Sequence, residues 1–221
     1  MTKKKVIVMG KGSLAIKIAN WFLNSRQYQL VGLVPVVPEP AWSDSLITWA
    51  KNKGIFYITS GDYQDIPGTE SRGWCIDLVF SVFYDKIIET DFISRCKQIL
   101  NLHNGPLPKY RGVRPINWAL KNGEKEHGVT IHEITGQIDA GPIITQIKFP
   151  IDPQVDEVID VYNRSLEYGW KLFCQTMPRL DKIKPMPQDD LLSSYYSHKD
   201  IKKLAERKDF SRKDSLNNMR S

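Results

Sequence analysis

Cysteine is scarce: Cys75, Cys96 and Cys174 are the only three, and they share no metal-like spacing. So sparse and odd a set builds no disulfide framework, and it reads as reduced thiols in a cytoplasmic protein. Long apolar runs are missing too. No stretch approaches the roughly 20 residues a bilayer-crossing helix needs. The apolar run after the first lysines covers only residues 6–9, too short for the core of a signal peptide. No internal repeat or low-complexity segment interrupts the chain, and no Cys/His/Asp cluster has metal-ligand spacing, so no metal is expected.

What is present suits one folded domain with an appendage. Over 221 residues, 41% are hydrophobic and 25% charged, close to globular averages, so a sizeable core is within reach. The formal charge of +6 is uneven: residues 198–221 hold eight Lys/Arg against four acids, which leaves the body nearly neutral. That balance argues against a nucleic-acid partner, and the basic tail reads as a solvated helix face.

The β-branched run at residues 6–9 ends at Gly10-Lys11-Gly12-Ser13 and predicts a buried strand, a Gly-rich turn and a helix over residues 14–23. Strands are expected at residues 30–37, 55–58, 75–82 and 99–103. Helices are expected at 46–53, with Ser43 as cap, and at 90–96. Thr59-Ser60-Gly61-Asp62 is a turn cluster. Strand alternating with helix implies an α/β fold, a twisted and mostly parallel sheet with helices on both faces. Beyond residue 105 the rhythm changes: a rigid Gly105-Pro106-Leu107-Pro108 loop, a helix at 115–121, then strands at 129–134 and 143–149 joined by a short turn. Strands so joined must be antiparallel, so the sheet is expected to be mixed. An amphipathic helix over 155–177 follows. The expected domains are a catalytic body at 1–187 and an extension at 188–221.

Asn101 and His103 stand two apart at the end of a predicted strand and so share a face. In parallel sheets ligands bind just beyond the carboxyl ends of the strands. Asp139 lies in a Gly-flanked turn, where an aspartate is also an ordinary turn residue. His132, mid-strand, reads as structural, and His127 and His198 as surface residues.

Taken together, Asn101-Leu102-His103-Asn104-Gly105-Pro106-Leu107-Pro108-Lys109-Tyr110-Arg111-Gly112, Gly128-Val129-Thr130-Ile131-His132 and Ile138-Asp139-Ala140-Gly141 resemble the formyltransferases that use 10-formyl-tetrahydrofolate. The likeness spans most of residues 5–180 and is strongest from 99 to 150. The Asn-Gly-Pro-Leu-Pro version of the loop, with Asn117-Trp118-Ala119 and Asn122-Gly123-Glu124 after it, is similar to enzymes acting on nucleotide-linked amino sugars.

The resemblance implies a triad of Asn101, His103 and Asp139. An Asn carboxamide can donate to the oxyanion of acyl transfer. A histidine can donate to the same oxygen or accept the amine proton, and both roles stay open for His103; Asp139 would orient the imidazole or relay the proton. By the same resemblance Phe83, Tyr84, Lys86, Ile87 and Ile88 line the pteridine pocket of the co-substrate 10-formyl-tetrahydrofolate, with Thr135, Gln137 and Ile138 closing its other side. Gly10, Lys11, Gly12 and Ser13 offer backbone N–H groups to a substrate phosphate; Pro106, Tyr110, Arg111 and Asn117 are also expected at the acceptor, Tyr110 by stacking and Arg111 by phosphate pairing.

The expected activity is formyl transfer to the amine of a nucleotide-linked amino sugar such as a 4-amino-4,6-dideoxyhexose. Glycinamide ribonucleotide is an alternative acceptor; methionyl-tRNA would require a second domain larger than this tail can build. A catalytically silent folate- or nucleotide-binding module is the rival of another class. A nicotinamide oxidoreductase is opposed by Ala15 where a third glycine belongs, and by the lack of an acid after the second strand. The apolar Leu191, Leu192, Tyr195 and Tyr196 are expected to dock, with a homodimer favoured.

Overall fold

The computed structural model describes residues 2–68 and 76–205. Cys75 and the basic residues beyond 205 lie outside them. The chain divides into two compact units: one holds Met1–Leu102 with Glu133–Gly136, the other His103–His132 and everything from Gln137 onward.

In the first unit, β1 (Lys4–Gly10) lies between β2 (Tyr28–Pro35) and β3 (Leu78–Val82), and β3 pairs with β4 (Ile99–His103). All these pairings are parallel, with Val6 opposite Leu78 and Ser81 opposite Asn101. Val6, Val8 and Met9 are fully buried, as expected of a strand covered on both faces. α1 (Gly12–Leu23) buries Leu14, Ala15, Ile18, Ala19 and Phe22, a helical stripe. α2 (Leu46–Lys53) is capped by Ser45, whose hydroxyl accepts from the Thr48 N–H at 2.9 Å, and it closes on the left-handed Gly54. The expected cap, Ser43, instead donates its hydroxyl to the Pro40 carbonyl. α3 covers Thr90–Arg95.

The expected strand at 55–58 is reduced to a single bridge between Tyr57 and Leu33. Only Leu33 offers its N–H to Phe56 and its carbonyl to Ile58 before the turn at Gly61 begins. β2 stops at Pro35, short of the expected residue 37, where its partner also ends: Gly10, the last residue of β1, lies opposite Pro35 and accepts from the Val36 N–H.

In the second unit, β6 (Glu126–Glu133) and β7 (Ile143–Pro150) form an antiparallel pair, so the chain's strands are mixed and mostly parallel. α4 covers Pro115–Lys121. α5 (Val158–Thr176) starts later than expected, since residues 152–156 close a turn in which the Asp152 N–H donates to the Asp156 carboxylate. Glu157 and Asp160 then form a capping box.

The described part of the extension, expected to dock in part, groups with this unit. Ile143 and Met186 exchange both backbone hydrogen bonds at 2.8 Å, and β8 (Tyr195–Tyr196) pairs with β5 (Arg111–Gly112). Tyr196 stacks on Trp118 at 4.1 Å and on Tyr110 at 5.9 Å. The expected apolar cluster is thereby split: Tyr196 docks, while Leu191 stays 94% exposed with Leu192 and Tyr195 also outside. α6 (Ile201–Ala205) packs on α4. Among the described residues no helix is long and apolar enough to cross a membrane.

Candidate active site

β4 brings Asn101 and His103 to its carboxyl end, and the polypeptide then turns through the proline-rich loop. Thr130 of β6 holds that loop: its hydroxyl donates to the Gly105 carbonyl at 2.7 Å and accepts from the Leu107 N–H at 3.2 Å. The Gln146 amide of β7 donates to the Leu107 carbonyl and to the Thr130 hydroxyl. Gly105 lies against the His103 ring, where an added Cβ would come within 2.8 Å of Nε2. The loop sequence therefore makes room for the imidazole.

His103 is buried, 7% exposed, and both ring nitrogens have a partner. Nε2 is 2.8 Å from the Tyr110 carbonyl, and Nδ1 is 3.5 Å from Asp139 Oδ2. The carbonyl and the carboxylate both only accept, so a neutral ring donates from Nε2 to the nearer carbonyl and leaves Nδ1 facing the carboxylate, whereas an imidazolium donates to both. Burial pushes the imidazole below the usual histidine range, while the Asp139 carboxylate pulls the other way.

Asp139 adopts the left-handed region at φ +50°. The Gly112 N–H donates to its Oδ2 at 2.8 Å, and His132 Nε2 lies 3.4 Å from Oδ1. Burial alone would raise this carboxyl, but His103, His132 and the Gly112 N–H together hold it well below the usual carboxylate range. An ionised carboxylate is thus fixed between two imidazoles whose rings meet edge to face, 6.2 Å apart.

His132 was expected to be structural and in fact touches Asp139. No local signal marked it, because the β6–β7 register shifts between Ile131 and His132 and the contact reaches a turn seven residues on. His127 corrects an expectation more sharply: it is not at the surface but fully buried, with Nε2 3.1 Å from the Asn104 carbonyl and its ring edge-on to Phe149. His198 is exposed, as expected.

The residues expected around the folate are less uniform. Tyr84 gives its hydroxyl to the Gly61 carbonyl at 2.7 Å, Lys86 pairs with Asp62 at 2.9 Å, and Ile88 is buried. Phe83 is half-buried and Ile87 is 70% exposed; Thr135, in the same unit, is exposed. In the second unit Gln137 and Ile138 are exposed. Gly12 opens α1, Ser13 is half-buried, and Gly10 and Lys11 are buried, with burial lowering the Lys11 ammonium against the pull of Asp85.

The acceptor residues expected in the second unit are engaged internally. Tyr110 donates its hydroxyl to Glu124 at 2.7 Å. Arg111 is buried, with its guanidinium on Gln188 and Asp190. Asn117 and Pro106 are buried. Among the described residues no group of His, Cys, Asp and Glu could hold a metal ion.

The model of the family described as formyl transferase matches residues 67–177. The bifunctional polymyxin resistance protein ArnA of Wigglesworthia glossinidia brevipalpis is 38% identical over 123 residues, 54% of this chain but only 19% of that protein. The chain therefore spans about a fifth of that relative's length. Among solved structures, the N-formyltransferase from Helicobacter canadensis, in complex with folinic acid and dTDP-3-aminofucose, is 30% identical with a TM-score of 0.74, covering 89% of this chain and 72% of that one. The formyltransferase PseJ from Anoxybacillus kamchatkensis, in complex with UDP-4,6-dideoxy-4-formamido-L-AltNAc and tetrahydrofolate, is 28% identical with a TM-score of 0.60, covering 93% of each chain.

Proposed function

The chain belongs to the formyl transferase family, and from that membership we propose that it moves a formyl group from 10-formyl-tetrahydrofolate onto the amine of a nucleotide-linked amino sugar. The observation that carries this reading is the ionised Asp139 fixed beside the buried His103, both within the stretch the family model matches. The dTDP- and UDP-linked sugars of the two solved relatives support the acceptor class.

When bound, the folate supplies the formyl carbon and the leaving nitrogen. A neutral acceptor amine forms the new C–N bond as the carbonyl electron pair moves to oxygen. The old C–N bond then breaks, and a proton passes from the attacking nitrogen to the departing one. In this scheme Asn101 donates to the oxyanion. The two acceptors facing the His103 ring support its use as the proton acceptor, because the imidazolium that results would donate to both the Tyr110 carbonyl and the Asp139 carboxylate. His132 and the Gly112 N–H keep that carboxylate charged. On the folate side, the accessible apolar Phe83 and Ile87 suit the face of a flat heterocycle. The exposed Leu191 and Leu192 support a homodimer, which sedimentation at micromolar concentration would reveal.

The test is incubation with 10-formyl-tetrahydrofolate and a panel of amines: dTDP- and UDP-linked amino sugars, and glycinamide ribonucleotide. Formamide product from an amino sugar is expected. Turnover of glycinamide ribonucleotide alone would move the acceptor assignment, and folate binding without turnover of any amine would overturn the enzyme reading.

A further inference from the structure

We propose that Gln188, on the arm that returns from α5, is a positioning residue for Asp139. The inference rests on the reading of Asp139 as a group of the reaction. It adds that this carboxylate is aimed from a residue 49 positions later in the chain.

The Gln188 carboxamide is fully used. Its Nε2 donates to the Asp139 carbonyl at 2.8 Å and to the Gly141 carbonyl at 2.7 Å, while its Oε1 accepts from Arg111 Nε at 3.0 Å and Nη2 at 2.8 Å. Two donors meet two carbonyls, and one oxygen meets two guanidinium N–H groups, which is all that this side chain can offer. The partners also fix which way the amide points.

Its connections converge on Asp139 from two sides. A non-glycine residue at φ +50° persists only where its surroundings hold it, and Gln188 grips the backbone at Asp139 itself and two residues on. The other grip acts through Arg111, whose neighbour Gly112 donates to the Asp139 carboxylate. Gln188 is itself well mounted, between the Met186–Ile143 backbone pair and the β8–β5 ladder, where Arg111 donates to Ser194 and Val113 to Tyr196. An added Cβ at Gly112 would lie 2.1 Å from the Tyr196 carbonyl, so arm and strand approach too closely for any other residue there.

The test is Gln188→Met in the full chain, which keeps length and neutrality but removes all four hydrogen bonds. We expect kcat to fall between about ten- and a hundredfold, the cost of a misplaced catalytic group, with KM for folate and amino sugar within about threefold. Gln188→Asn, one methylene shorter, should fall between Gln188→Met and the parent, and it replaces Gln188→Met if that variant does not fold. Asp190→Asn, which touches the same guanidinium but not the Asp139 loop, should stay within about twofold of the parent.

A readout independent of turnover is the 15N titration of the His103 ring without substrates. Among the described residues, the titratable groups facing that ring are Asp139, which raises its pKa, and His132, which lowers it, and the buried His127 is also near enough for the two imidazoles to feel each other. If Gln188 aims Asp139, its loss should move the His103 titration to lower pH. An unmoved titration, or a kcat within twofold of the parent, overturns the proposal. A parent that formylates no amino sugar, together with a shifted titration in Gln188→Met, would instead overturn the functional reading and leave the positioning intact.

Discussion

The Asp139 site and the segment after β3 are built in opposite ways. Around Asp139 the candidate groups are tied to one another within the unit: His103 to Tyr110 and Asp139, Asp139 to Gly112 and His132, and the loop before Tyr110 to Thr130 and Gln146. After β3, Tyr84 and Lys86 are tied to the preceding turn, while Ile87 projects its apolar side chain into solvent. Fixing charge before the reaction is what electrostatic catalysis needs. An exposed apolar wall, by contrast, gains its burial only when a ligand covers it. The comparison predicts that changes in the first region alter rate and changes in the second alter affinity.

The largest effect should come from Asn101 and His103. Each alanine variant is expected to lose about a hundredfold or more in kcat, within the range of general acid–base groups. If both act in one concerted step, the double variant should be scarcely worse than the poorer single one. Fully multiplicative losses in a folded double variant would show two independent roles.

A smaller effect, and of the other kind, is expected from Ile87→Ser. Losing a large apolar contact corresponds to about a tenfold rise in KM for the folate, with kcat within about twofold and the melting temperature unchanged. A fall in kcat at constant KM would erase the distinction between the two regions.

The smallest effect concerns a histidine beside the site that the mechanism does not use. Burial pushes His127 down to about 4 from its ordinary 6.5. Between these values the unfolded chain binds a proton that the folded chain refuses, so stability is lost as pH falls through that window. His127→Phe should remove this dependence. Between pH 7 and 4.5 the parent should lose roughly 2 kcal/mol more than the variant in urea unfolding; equal losses would show that the ring protonates in place.

Much of the first unit was legible because local signals agree with the fold there. β4 spans Ile99–His103 and α2 spans Leu46–Lys53, as read from the apolar runs and the closing Gly54. The site was only half legible. Asn101 and His103 stand two apart on one strand, but the contact of His132 with Asp139 joins a strand to a left-handed turn seven residues on, which periodicity does not report. His127 was misread because β6 is buried on both faces from His127 to His132, leaving no alternation to mark its inner side. The arm was hidden for another reason. Its anchors are a two-residue strand, one stacked tyrosine and one carboxamide, and each takes its meaning from a partner far away in the sequence.

The most direct test is Asp139→Asn, with the turnover rate and the affinity for tetrahydrofolate measured on the same preparation. The substitution keeps the shape of the side chain and removes the charge held between His103 and His132. The expected result is a kcat lower by about a hundredfold or more, with the tetrahydrofolate Kd within about twofold of the parent. A kcat near that of the parent, or an affinity loss as large as the rate loss, would contradict the role proposed for Asp139.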